Sequence, residues 1–169
     1  MLRSRQALAC AAGLLALSAC AGPAAFEPPP QQAPAASRQH ALLAADPDAE
    51  GLLAADIGPL EGGRFRWTGQ RPTVRLQLQK TGALRLRARF WVAEDALRQT
   101  GPLEITYFVN NELIERARYS ASGEQLFEKP VAAGVLKTGA NEVRMEIDKA
   151  YERNGAHLGV ALVELGFVD

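Results

Sequence analysis

The chain has 169 residues, with 19 Lys and Arg against 19 Asp and Glu, so its formal net charge at pH 7 is +0. That balance excludes the strongly basic surface expected of a nucleic-acid-binding domain. The length supports one compact domain, and Cys10 and Cys20 are too few for a thiolate zinc site.

In chain order, "MLRSRQ" places Arg3 and Arg5 ahead of an apolar run from Ala7 to Leu17. The run is about 11 residues, short of the ~20 that cross a bilayer core. It is apolar on all sides and so lacks the polar face of a surface helix. A basic start, a short apolar stretch and small residues before a cut predict a secretory signal over residues 1–19. "LSAC" (Leu17-Ser18-Ala19-Cys20) resembles the lipobox of bacterial lipoproteins. That resemblance implies a diacylglyceryl thioether on Cys20, removal of the signal before it, and a membrane partner held through lipid. Two or more acyl chains give stable anchoring at ~0.8 kcal/mol per buried methylene. Ala21 stands where inner-membrane-retained lipoproteins commonly carry Asp, which implies the outer membrane, facing the periplasm or the surroundings. The exported part then contains no disulfide.

Residues 20–40 read as a tether: Pro23, Pro28, Pro29, Pro30 and Pro34 stand among Ala and Gln, a composition that buries too little apolar surface to fold. Two near-copies follow, "ALLAAD" (41–46) and "GLLAAD" (51–56), with Pro47 between them. Each is expected to form a helical turn or two, so that residues 41–57 make a short, partly helical lead-in.

From Gly58 the period becomes two. In "TVRLQLQ", Val74, Leu76 and Leu78 share one face; after a "KTG" turn, Leu84, Leu86, Ala88 and Phe90 alternate with Arg85, Arg87, Arg89 and Trp91. "LEITYFV" and "ELIERARY" flank Asn110-Asn111, a hairpin signal because Asn tolerates positive φ. "NEVRMEID" puts Val143, Met145 and Ile147 on one side, and "LGVALVELGFV" is nearly continuous in apolar residues, as a central strand or a short buried helix would be, its glycines and β-branched residues favouring strand. About seven or eight short strands with no long helical pattern predict an all-β domain over residues 58–169, a β-sandwich or a barrel.

"GPLEGGRFRWTGQ", "VNNELIER", "FEKPVAAGVLKTGANEVRMEID" and "HLGVALVELGF" together resemble the galactose-binding-like, jelly-roll modules attached to sugar-active and cell-surface proteins. The resemblance covers residues 58–169 and implies an antiparallel two-sheet, jelly-roll β-sandwich with a binding role, its ligand residues on variable loops.

Candidate chemistry is sparse. His40 falls in the tether and His157 in a loop, no G-x-S-x-G is present, and Glu94-Asp95 are loop neighbours without the spacing of a glycosidase pair. A hydrolase with an unrecognised carboxylate pair is the remote third reading. No cofactor is expected, although Asp148 and Glu152 flank a loop where oxygen-ligated Ca²⁺ stays open. Trp67, beside Arg64 and Arg66, either stacks on a sugar ring or plugs one end of the core. Trp91 and Tyr151 are the other aromatic ligand candidates. Arg75, Arg85, Arg87 and Arg89 form either an interaction face for an anionic or protein partner, with Arg75 joining across the "KTG" hairpin, or a solvated face paired with Glu104, Glu112 or Glu115. The leading expectation is a non-catalytic, lipid-anchored envelope protein that binds a glycan; the alternative is protein docking through the arginine face.

Overall fold

Strict alternation of apolar and polar residues makes strands whose one face must be covered, and a second sheet supplies the cover. The computed structural model describes residues 40–169. The strands are β1 (Ala41–Leu43), β2 (Leu53–Glu61), β3 (Phe65–Leu78), β4 (Arg85–Val92), β5 (Leu103–Val109), β6 (Glu112–Tyr119), β7 (Gly123–Pro130), β8 (Gly139–Ile147), β9 (Tyr151–Arg153), β10 (Ala156–Leu158) and β11 (Ala161–Val168). A 3-10 helix, Pro47–Leu52, precedes β2, and α1 (Glu94–Thr100) follows β4. The signal, Cys20 and the tether lie outside the described residues.

The fold is an antiparallel β-sandwich, and the long strand β3 belongs to both layers. Its C-terminal half pairs with β8 from Thr73↔Arg144 to Leu78↔Gly139, and β5 and β6 continue that layer. Its N-terminal end pairs with β11 through Arg66↔Leu162 and Trp67↔Ala161, and β4 and β7 continue the other. The inner faces meet in one cluster: Val74, Leu76, Met145 and Ile105 from one layer, Leu86, Phe90, Leu162 and Phe167 from the other, all essentially inaccessible. Each fully buried side chain of this kind contributes about 1.5–3 kcal/mol.

The apolar run before the C-terminus is a strand, and a bulge between Leu162 and Glu164 explains its broken alternation. The extra residue lets Leu162 and Leu165 both turn inward although they stand three apart. The Asn110-Asn111 hairpin forms as expected, with φ of 51° and 69°. Asn110 also ties the turn to the next layer strand, donating to the Val135 carbonyl and accepting from the Glu142 N–H. Buried Asn141 holds the preceding loop through bonds to Lys137 and Gly139.

Four expectations need correction. The first "LLAAD" copy is not a helical turn and the second is helical only at its start: Ala41–Leu43 pairs with β11, Gly51 and Leu52 end the 3-10 helix, and Leu53 onward pairs with β3. The helix starts between the copies and runs into the second, with Pro47 at its start, where proline's missing N–H costs nothing, and the Asp46 side chain accepts from the Asp48 N–H. The "KTG" turn does not close a hairpin, because β3 and β4 are not hydrogen-bonded neighbours; the chain crosses there from one layer to the other. Glu94 and Asp95 open α1 rather than sit in a loop; acids in its first turn, Arg98 in its last and Gly101 after it satisfy the helix ends. The strand count is higher than expected because β1, β9 and β10 are three residues long, too short to display a period. Among the described residues no helix is long and apolar enough to cross a membrane.

Candidate functional site

Cross-strand partners project from the same face of a sheet. Ala161 is opposite Trp67 on one side and Trp91 on the other, and Trp91 is in turn opposite Glu124. One row across the outer face therefore reads Trp67–Ala161–Trp91–Glu124. Strand spacing sets the backbones of the two tryptophans about 10 Å apart. Only a methyl group stands between them, and the gap is a cleft of about 600 Å³ whose lining includes Arg64, Phe65, Trp67, Trp91, Glu94 and Arg153.

The two aromatic walls differ in how they are held. Trp91 is 52% exposed. Trp67 is half-buried and braced: the Phe65 ring meets it edge-on at 5.6 Å, Tyr151 at 6.0 Å, and the Arg153 guanidinium lies over it at 5.7 Å. This bracing fixes the ring at little further entropic cost when something stacks on it. Arg64 and Arg153 form no ion pair with any acid among the described residues, so the Trp67 side of the cleft is cationic. Glu94 and Glu124 flank the Trp91 side, Glu124 lying also 3.7 Å from Arg89.

The structure thus brings Arg64, Trp67 and Trp91 together and leaves Arg66 and Tyr151 out of the cleft lining. Arg66 points inward because alternation places it between Phe65 and Trp67; it is 3% exposed. Its guanidinium donates to Glu50 at 2.8 Å and to the Ala44 and Gly58 carbonyls at 3.3 Å, clasping the lead-in onto β3. Tyr151, expected at a loop surface, is buried in β9 under the cleft wall. The β9–β10 hairpin folds back there because Gln99 of α1 bonds both backbone groups of Glu152. Burial pushes the Tyr151 phenol up, while the neighbouring Arg153 guanidinium draws it down; no group among the described residues is placed for a well-formed hydrogen bond to the hydroxyl.

The arginine face is a paired surface. Arg85 and Arg87 share Glu128, at 2.6 and 2.8 Å, and Arg89 lies 3.7 Å from Glu124 and 3.5 Å from Glu164. These acids come from β7 and β11, not from Glu104, Glu112 or Glu115, because β7 and β11 flank β4. Arg75 does not join them; it lies opposite Glu142 in the other layer. His157 is exposed on β10. The Asp148 carboxylate accepts the Glu104 N–H at 2.8 Å, and among the described residues no group of three or more His, Cys, Asp or Glu is placed to hold a metal ion.

Sequence reasoning missed Arg153, Glu124 and Ala161. The one available signal was Ala161 itself, a small residue opening a strand rich in Val and Leu.

No protein-family model matches the chain, and no curated protein matches it. Among solved structures, a family 35 carbohydrate binding module from an environmental isolate superposes with a TM-score of 0.50 at 12% identity, over 69% of this chain and 86% of that one. The CBM36-1 domain of a multidomain xylanase from the hindgut metagenome of Trinervitermes trinervoides gives 0.43 at 15% identity over 69% and 91%. CBM35 from Cellvibrio japonicus Abf62 gives 0.42 at 14% identity over 70% and 86%. At this identity the first of them establishes the sandwich fold and nothing finer.

Proposed function

We propose that the chain is a non-catalytic glycan-binding module and that the cleft between Trp67 and Trp91 is its site. The observation that carries the reading is the cross-strand row Trp67–Ala161–Trp91. A pyranose ring has an apolar C–H face that packs on an aromatic ring, and hydroxyls at its rim that bond to charged side chains. The cleft offers both, with Arg64, Arg153, Glu94 and Glu124 around the two indoles. The shared fold of a family 35 carbohydrate binding module supports the reading.

The lipid reading of Cys20 puts an anchor ahead of the sandwich in the chain. The Phe167 N–H bonds the His40 carbonyl, so the chain joins the sandwich at the far end of β11 from Ala161, ~20 Å away along the strand. We further propose lipid anchoring at Cys20, in the outer membrane of a diderm bacterium, on the lipobox resemblance of Leu17 to Cys20.

Tryptophan fluorescence tests the site. Titration of the purified chain with muropeptides and with chito- and xylo-oligosaccharides is expected to give a saturable shift with one class. Trp67→Ala and Trp91→Ala should each weaken it about tenfold or more, as loss of a stacking face worth ~1.5 kcal/mol requires. Undiminished affinity in both folded variants would reject the cleft. A globomycin-sensitive size shift that disappears in Cys20→Ala would test the anchor.

A further inference from the structure

The cleft is one station of a longer depression. A second opening of about 600 Å³ shares Trp67 and Arg153 with it, and a third of about 750 Å³ shares Asp56, Gly69 and His157 with the second. Consecutive residues line them in turn: Arg64, Phe65 and Trp67 the first, Trp67 to Gly69 the second, Gly69 to Arg71 the third. The physical reason is β3, which passes from one layer to the other and carries a continuous floor around the end of the sandwich. The β9–β10 hairpin forms one wall along the way, through Arg153 and then His157.

We infer that this depression is a single groove that binds a linear glycan along its length, with a second subsite around Asp56, Arg71 and His157. The inference rests on the glycan reading above. Trp91 to Trp67 spans about 10 Å across two strand spacings, and Trp67 to Arg71 adds about 13 Å along β3. The groove is therefore longer than two linked sugar rings. Its character changes along its course: aromatic at the first station, polar at the second and third, with the exposed Asn154 and His157.

The middle is kept open by Gly69. Asp56, at φ 59°, folds its carboxylate over that residue and accepts the Arg71 N–H at 2.6 Å. A Cβ on residue 69 would lie 2.1 Å from the Asp56 Oδ1, so any side chain there would drive the carboxylate out into the groove. Glycine is what lets backbone, carboxylate and a passing chain share the space.

The test is chain length. The full chain in detergent is titrated with chito- and xylo-oligosaccharides, monomer to hexamer, by tryptophan fluorescence and calorimetry. The hexamer of the bound series should be about tenfold tighter than its disaccharide, the gain that two or three net hydrogen bonds at the second subsite supply. Arg71→Ala with His157→Ala should bring that ratio close to one; both side chains are exposed and make no hydrogen bond within the described residues, so the fold is kept. A saturable response with equal affinity from disaccharide to hexamer would overturn the groove and leave the cleft standing. An undiminished ratio in the double variant would overturn the second subsite. Silence with both series and with muropeptides would overturn the groove together with the reading beneath it.

Discussion

Arg66 decides between two uses of the same sequence stretch, and replacing it separates them. Its side chain is 3% exposed and its guanidinium reaches three acceptors on three segments: Ala44 after β1, Glu50 in the 3-10 helix and Gly58 in β2. Hydrogen bonds from a charged group contribute about 1.5–3 kcal/mol when well formed. The two carbonyl contacts are long at 3.3 Å, which places them at or below the low end. Glu50 is 70% exposed, so its ion pair behaves as a surface pair worth about 0–1 kcal/mol. With the lost packing of the aliphatic stem, Arg66→Ala should cost about 3 kcal/mol. For a domain of this size that lowers Tm by about 10 °C. Circular dichroism melting at neutral pH reads it, with Arg64→Ala as the comparator. Arg64 is exposed and makes no ion pair among the described residues, so its loss should leave Tm within about 2 °C while weakening glycan binding. Arg66→Ala should do the reverse, binding like wild type at temperatures where it is folded. If Arg66→Ala instead kept its Tm and lost affinity, the clasp would be wrong and the residue would belong to the ligand surface.

Three further outcomes follow from the same geometry. Asn141, 1% exposed, donates to the Lys137 and Gly139 carbonyls and accepts from the Lys137 N–H and the Asn110 amide; Asn141→Ala should cost about 3 kcal/mol in a denaturant titration, and Asn141→Asp at least as much, since it sets a buried carboxylate oxygen against those two carbonyls. Hydrogen bonds from Arg87 and Arg85 hold the Glu128 carboxyl below the ordinary carboxylate range. Its contribution is therefore present above that range and lost as pH falls through the lowered value, so Glu128→Gln should melt below wild type at neutral pH and the gap should close in acid; a gap independent of pH would refute the pairing. Tyr151→Phe removes a buried hydroxyl that has no partner, so stability should hold or rise slightly and binding should be unchanged; a loss of affinity would return Tyr151 to the ligand surface.

Much of the sandwich was legible in the sequence because a period of two is a local property. Val74-Leu76-Leu78, Leu86-Ala88-Phe90 and Val143-Met145-Ile147 face inward because each strand alternates, whatever its neighbour. Asn110-Asn111 marked its hairpin because positive φ is a single-residue preference. Arg66 was legible too, in principle: it is flanked by Phe65 and Trp67, and alternation alone sends it to the opposite face. The arginines of β4 also lay outward as expected, but their partners did not follow, since nothing local says that β7 and β11 flank that strand.

The sequence by itself therefore determined the strands, their inward faces and the all-β class, since these depend on residues two apart. Only the tertiary structure decided the site. Trp67 and Trp91 stand 24 positions apart in the chain and meet across Ala161, which lies a further 70 positions along. That row exists because β3 crosses between layers and pairs its first residues with β11, and because the β9–β10 hairpin turns Tyr151 under Trp67 instead of out to solvent. Each is a matter of which strands lie side by side, and hydrogen-bonded backbones pair alike whatever side chains they carry.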